Sequence, residues 1–123
     1  MRDINRAIVG GRLTRDPELR TTAAGLEVLL LGIASNDRAR QGGEWADKAN
    51  FIDCKMFGSR APKLAQILKK GDKVFIDGRL SYSSWKDSEG RNRSKLEILI
   101  DDIDTPKPTQ QEQTAQYDDG IPF

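Results

Sequence analysis

Two periods run through this sequence. Between Ile4 and Leu13 the pattern alternates loosely, with Ala7, Val9, Gly11 and Leu13 on one side and Arg6, Ile8, Gly10 and Arg12 on the other. Such alternation predicts a strand, and its glycines allow bending or a close approach of backbones. Asp16-Pro17 punctuates it. Leu26 to Ala34 predicts a second strand, and the polar run from Ser35 to Lys48, with Gly42-Gly43, predicts a mobile loop. Phe51 to Phe57 predicts a third strand. At Ser59 the period changes: Ala61, Leu64, Ile67 and Leu68 form a helical stripe. Ser59 stands as its N-cap, Pro62 falls in the first turn, Lys69-Lys70 suit the negative end of the dipole, and Gly71 stops it. Lys73 to Trp85 predicts a long fourth strand, Asp87-Ser88-Glu89-Gly90 a turn, and Lys95 to Asp101 the fifth.

The order β-β-β-α-β-β predicts an all-β fold: a five-stranded OB-fold barrel with one short helix between strands 3 and 4. An unrelated small barrel or sandwich with one helix is the alternative that pattern alone leaves open. Residues 1–104 form the expected domain. From Thr105 to Gln116 the chain is Pro, Thr and Gln with almost no apolar residue, too little buriable surface to offset the entropy of ordering. A disordered polar linker over 105–117 is therefore expected, with a reach of roughly 20 Å. The last six residues, Asp118, Asp119, Gly120, Ile121, Pro122 and Phe123, end this acidic tail as two acids, an apolar stretch and an aromatic. That is the chemistry of a peptide ligand for a basic, hydrophobic pocket that captures a C-terminal carboxylate.

Charge divides in the same way. Up to Asp104 there are 19 Lys+Arg against 16 Asp+Glu, a net of +3, and from Thr105 one Lys against three acids, a net of −2. Histidine is absent, which removes the usual general base and the commonest nitrogen ligand for metals. The single cysteine, Cys54, excludes an internal disulfide, suits a reducing compartment and falls among core positions. The pair Asp101-Asp102 is expected to point to opposite faces of its strand. Neither an enzyme nor a cofactor or metal is expected. No apolar run spans a membrane and no signal peptide precedes Ile4, so a cytoplasmic, non-membrane protein is expected.

A period of two sorts the third strand into Ile52, Cys54 and Met56 for the core and Phe51, Asp53, Lys55 and Phe57 outward. Aromatics interleaved with cations on an outer face suit a single-strand platform, where rings stack on bases and cations follow phosphates. Subunit contact is the alternative use of such rings. The fourth strand repeats the mixture, with Trp85 at the end of an arm that carries Arg79, Lys86, Arg91, Arg93 and Lys95 against Asp87 and Glu89. Arg38, Arg40, Trp45 and Lys48 supply the same ingredients between strands two and three, and Arg12 adds a cation on the first strand. The expected ligand is single-stranded nucleic acid. A protein-only adaptor and an RNA-binding module are the rival readings.

These residues resemble a known family over nearly the whole chain. Asn5-Arg6-Ala7-Ile8-Val9-Gly10-Gly11-Arg12-Leu13 with Asp16-Pro17-Glu18-Leu19-Arg20, then Phe51 to Gly58, Leu68 to Val74, Ile76-Asp77-Gly78-Arg79-Leu80, Trp85 with Gly90, and the acidic tip are similar in order and spacing to the bacterial single-stranded DNA-binding proteins. The resemblance implies a homotetramer of OB-folds that wraps single-stranded DNA, associated with the nucleoid. It implies stacking on Phe51, Phe57 and Trp85, and a tip that docks replication, recombination and repair proteins. The chain departs from the family's usual residues at Phe51, often Trp, and at Ile52, commonly His. It also lacks an aromatic at Arg38-Ala39, where Trp45 stands nearby.

Overall fold

The computed structural model describes residues 2–106; the expected linker beyond 106 and the tip Asp118 to Phe123 lie outside the described residues. Strands and helix follow in the order β1 (Ala7–Leu13), β2 (Glu18–Thr21), β3 (Glu27–Gln41), β4 (Glu44–Phe57), α1 (Arg60–Ile67), β5 (Lys73–Lys86) and β6 (Asn92–Asp104). The sheet runs β1-β5-β6-β4-β3-β2, and a further β1–β3 pairing joins its ends. Five strands thus close the expected OB-type barrel, with the helix between its third and fourth members. The unexpected β2 hangs on the edge of β3 and is exposed throughout, so it carries no burial period to read. Closure depends on Gly11: a Cβ there would lie 2.5 Å from the Ala34 carbonyl oxygen, where β1 crosses β3.

The barrel interior is Leu13, Leu29, Leu31, Ile33, Cys54, Met56, Val74, Ile76, Ile98, Ile100 and Ile103, with Ala61 and Leu68 closing it from the helix side. Burial, first, and then Asp53 and Glu97 push the Cys54 thiol up to about 12, so it stays a protonated, inert core residue at neutral pH.

Three expectations need correction. The segment from Ser35 to Lys48 is no loop: β3 and β4 pair without a break from Val28 opposite Phe57 to Gln41 opposite Glu44. Gly42 (φ 59°) and Gly43 (φ 86°) form a two-residue tip with both φ positive, as a type I′ turn requires. Beyond the barrel both faces of this ribbon meet water, which erases the apolar alternation that marks a strand.

Asp101 and Asp102 are both exposed, because the β5–β6 register slips from Asp77 opposite Asp102 to Gly78 opposite Ile100. The extra residue is a bulge that shifts the phase of β6 and brings Ile103 into the core alongside Ile98 and Ile100. The two acids go to separate arginines, Asp101 to Arg79 (3.7 Å) and Asp102 to Arg60 (3.1 Å).

The helix, lastly, ends at Ile67, before the lysine pair, and Ser59 makes no side-chain cap. The Lys69 and Lys70 amides instead donate to the carboxylates of Asp72 and Asp16. Pro62 sits in the first turn, where no intrahelical donor is needed.

Candidate nucleic-acid interface

Parity along β4 decides which side chains share a face. Cys54 and Met56 point into the barrel, so Trp45, Asp47, Phe51, Asp53, Lys55 and Phe57 all point out, with no register break among them. Lys55 lies beside Leu99 of β6, and Leu99 lies opposite Arg79 of β5, which carries the same outer face across to Arg79, Trp85 and Arg93. Four aromatics therefore occupy one continuous surface, each substantially solvent-exposed: Trp45 61%, Phe51 76%, Phe57 45% and Trp85 47%. Along β4 the three rings recur every six residues, or roughly 20 Å at the rise of a strand.

The sequence-expected cations divide. Lys55, Arg79, Arg93, Arg38 and Arg40 share the face of the rings, the last two through their pairing with Asp47 and Trp45. Lys48 pairs with Asp37, and Lys86 with Asn92, on the reverse faces of their arms. Arg91 stands at the β5–β6 tip. Arg12 lies in line with Ala34 and Phe51 across β1, β3 and β4, and its guanidinium donates to the Gly71 carbonyl at 3.0 Å.

Each arm holds its Trp differently. In the β3–β4 arm the guanidiniums of Arg38 and Arg40 lie 5.8 and 6.0 Å from the centre of the Trp45 ring. In the β5–β6 arm the cations gather on Asp87. Its carboxylate accepts from the Glu89 and Arg91 amides, each at 2.9 Å, and from Arg93 Nε at 3.0 Å, and it pairs with Arg91 at 3.4 Å. These contacts, led by the Arg91 amide, hold the Asp87 carboxyl below its ordinary value. A groove of about 570 Å³ beside Trp85 and Arg93 is lined mainly from the reverse face of the arm, by Tyr82, Ser84, Lys86, Asn92 and Ser94. Another, of about 230 Å³, lies beside Phe57 and is bounded by Arg20, Thr22, Val28, Leu30 and Lys55.

Sequence reasoning missed the centre of this surface. Glu97 points outward on β6 yet is only 4% exposed, covered by Lys55 Nζ at 2.9 Å and approached by Lys95 Nζ at 3.9 Å. Lys95 also pairs with Asp53 at 2.9 Å, and Asp53 with Arg15 at 4.0 Å. A lone acid inside the apolar run Leu96 to Ile100 was the available signal, since Glu is almost never fully buried unless paired.

A closed barrel whose sheet face is lined with rings and cations invites comparison with known proteins. A family model described as the single-strand binding protein family matches residues 4–106. This chain belongs to that family. Among its relatives is the single-stranded DNA-binding protein of Borreliella burgdorferi, 44% identical over 104 residues that cover 84% of this chain and 70% of the relative. The protein of the same name from Treponema pallidum is 40% identical over 103 residues, 84% of this chain and 58% of the relative. A crystal structure of a deletion mutant of the single-stranded DNA binding protein from Thermus aquaticus superposes with a TM-score of 0.73 at 27% identity, covering 83% of this chain and 50% of that one. The chain thus spans between half and about two thirds of the length of these proteins. The single-strand binding protein family is a non-catalytic one. Among the described residues no group of three or more His, Cys, Asp or Glu side chains could hold a metal, and no helix is long and apolar enough to cross a membrane.

Proposed function

We propose that this protein binds single-stranded DNA without strong sequence preference, laying bases on Phe51, Phe57 and Trp85 and on Trp45. The observation that carries this reading is the common face: four exposed rings on one uninterrupted sheet surface, interleaved with Lys55, Arg79, Arg93, Arg38 and Arg40. Rings stack on any base, which gives affinity without reading sequence, and Arg38, Arg40, Arg79 and Arg93 supply phosphate contacts. Arg12 and Arg91 lie at the margins of the face, Lys48 and Lys86 on the reverse faces of the arms, and all four contribute through charge.

Replication, recombination and repair are the processes that expose single strands, and they set the expected setting, in contact with the nucleoid. The tip Asp118 to Phe123 serves as the ligand for partner proteins of those processes, on the strength of its acid-and-aromatic chemistry and the polar leash before it. Assembly as a homotetramer is supported by large apolar side chains left exposed, Ile8 and Phe75 on the barrel and Ile4 just before it among them.

Titration of Trp fluorescence with a dT oligomer tests the binding reading. Strong, salt-dependent quenching is expected, with far less from duplex of equal length; equal quenching by duplex would overturn it. A matched rU oligomer that binds more tightly than dT would transfer the assignment to RNA. Deleting residues 118–123 should keep or slightly strengthen DNA binding, most visibly at low salt, while partner binding is lost. Light scattering should give four chains per particle, and a stable monomer at micromolar concentration would refute the assembly.

A further inference from the structure

Glu97 is a carboxylate set into the middle of a surface proposed to bind a polyanion. A buried acid in that place would repel phosphate unless its charge were cancelled locally. The structure cancels it: Lys55, on the same face as Phe51 and Phe57 and between them along β4, closes over Glu97 at 2.9 Å. The next acid on this face, Asp53, is occupied in turn by Lys95 (2.9 Å) and Arg15 (4.0 Å). Three cations and two acids therefore interlock across the seam of β4 and β6. By contrast Arg40, at one end of the surface, has no acid partner among the described residues and lies against the Trp45 ring. The centre is charge-balanced at Lys55, whereas the β3–β4 arm keeps Arg40 free of an acid among the described residues; Arg38 lies 4.0 Å from Asp47, and Arg91 and Arg93 are held on Asp87.

We propose that Glu97 is a positioning residue that spends the charge of Lys55, so that the middle of the face takes bases on its rings and leaves phosphate contacts to the arms. This rests on the binding reading above. It assigns Lys55 a place in the binding surface as the cover of Glu97, with its aliphatic stem beside the rings, and not as a counterion for the strand.

Salt dependence reads this directly, because the slope of log K against log salt counts the phosphates neutralised, at about −0.7 per contact for single strands. In Glu97→Gln, which keeps the side chain's size but removes its charge and one acceptor oxygen, Lys55 is released to the strand. Binding of a dT oligomer should tighten at low salt, and the slope should steepen by about 0.7. Between 50 and 200 mM salt the loss of affinity should then be about 2.6-fold larger than in wild type. In the double variant Lys55→Gln/Glu97→Gln both members of the pair are gone, and the slope should return to the wild-type value. A slope unchanged in Glu97→Gln overturns the proposal. So does a double variant whose slope is shallower than wild type by about 0.7, the result for a Lys55 that contacts phosphate. Should Glu97→Gln fail to fold, the double variant decides alone. A loss of thermal stability with no change of slope marks a purely structural pair and also overturns it. If wild type does not bind the dT oligomer at all, it is the binding reading that fails.

Discussion

The two arms are built from the same parts and wired in opposite ways. Each extends a barrel hairpin into solvent, and each carries one Trp near its tip and two arginines beside it. In the β3–β4 arm Arg38 and Arg40 lie against the Trp45 ring, Arg38 also 4.0 Å from Asp47, whereas in the β5–β6 arm Arg91 and Arg93 are drawn to Asp87 and the Trp85 ring has no cation over it among the described residues. A base laid on Trp45 as proposed would share the ring with two guanidiniums, whereas one laid on Trp85 would meet a ring with no cation over it among the described residues. Composition near a tip therefore says less about a stacking site than what the neighbouring cations are holding.

The largest effect should come from the vacant ring. Trp85→Ala is expected to cost about 1–3 kcal/mol of binding free energy, roughly 5- to 150-fold in Kd for a dT oligomer. Trp45→Ala should cost less, under about 1 kcal/mol, because stacking there is offset by cation–π contacts of about 0.5–1 kcal/mol each. Equal losses for the two variants in the same titration would break the comparison.

Next comes the wiring itself. Asp87→Ala should leave the fold intact and loosen the tip, seen as lower Trp85 anisotropy and a few-fold weaker binding. Asp87 is held below its ordinary value of 3.8, so its contribution to tip order is present above that pH and is lost as pH falls through the lowered value. Trp85 emission should be flat down to about pH 4 and change below it, and in Asp87→Asn this step should be missing.

The smallest effect at neutral pH is the control between the arms. Cys54→Ala should leave dT affinity unchanged, since that side chain faces the core. The folded thiol is raised from 9.0 to about 12, so the wild type gains its share of stability below pH 9 and loses it as pH rises toward 12. Chemical denaturation above pH 9 should show that loss in wild type and not in the variant. A wild-type curve parallel to the variant's would mean the thiol ionises freely.

Barrel and helix were legible because burial writes a period into the chain: the inward set Ile52, Cys54 and Met56 is where the alternation puts it, and Ala61, Leu64 and Leu68 of the expected stripe pack on the core, Leu68 from just past the helix. What sequence missed lies where burial stops. The arm over 35–48 has water on both faces, so its strands carry no alternation, and only Gly42-Gly43 announced a tight turn. The bulge at Asp101 reverses parity within one residue, and a two-residue period cannot announce its own break. In the candidate site outward parity in β4 pointed to Phe51 and Phe57, while Trp45 and Trp85 were signalled only as aromatics in polar, basic arms. Glu97 was hidden because its parity is outward while its burial comes from Lys55, a residue on another strand.

The unbroken register of β3 and β4 has a consequence for stiffness. A paired ribbon twists in a right-handed sense, most strongly where only two strands run together. Rings placed every six residues along β4 therefore do not lie on a straight line but wind about the ribbon axis from Phe57 through Phe51 to Trp45. A polymer that visits all three has to turn with them over roughly 40 Å. A single strand bends at that length scale at little cost, while duplex DNA, with a persistence length of about 150 bp, stays straight across it. For a ligand laid on these rings as proposed, bending rigidity alone would favour one strand over two.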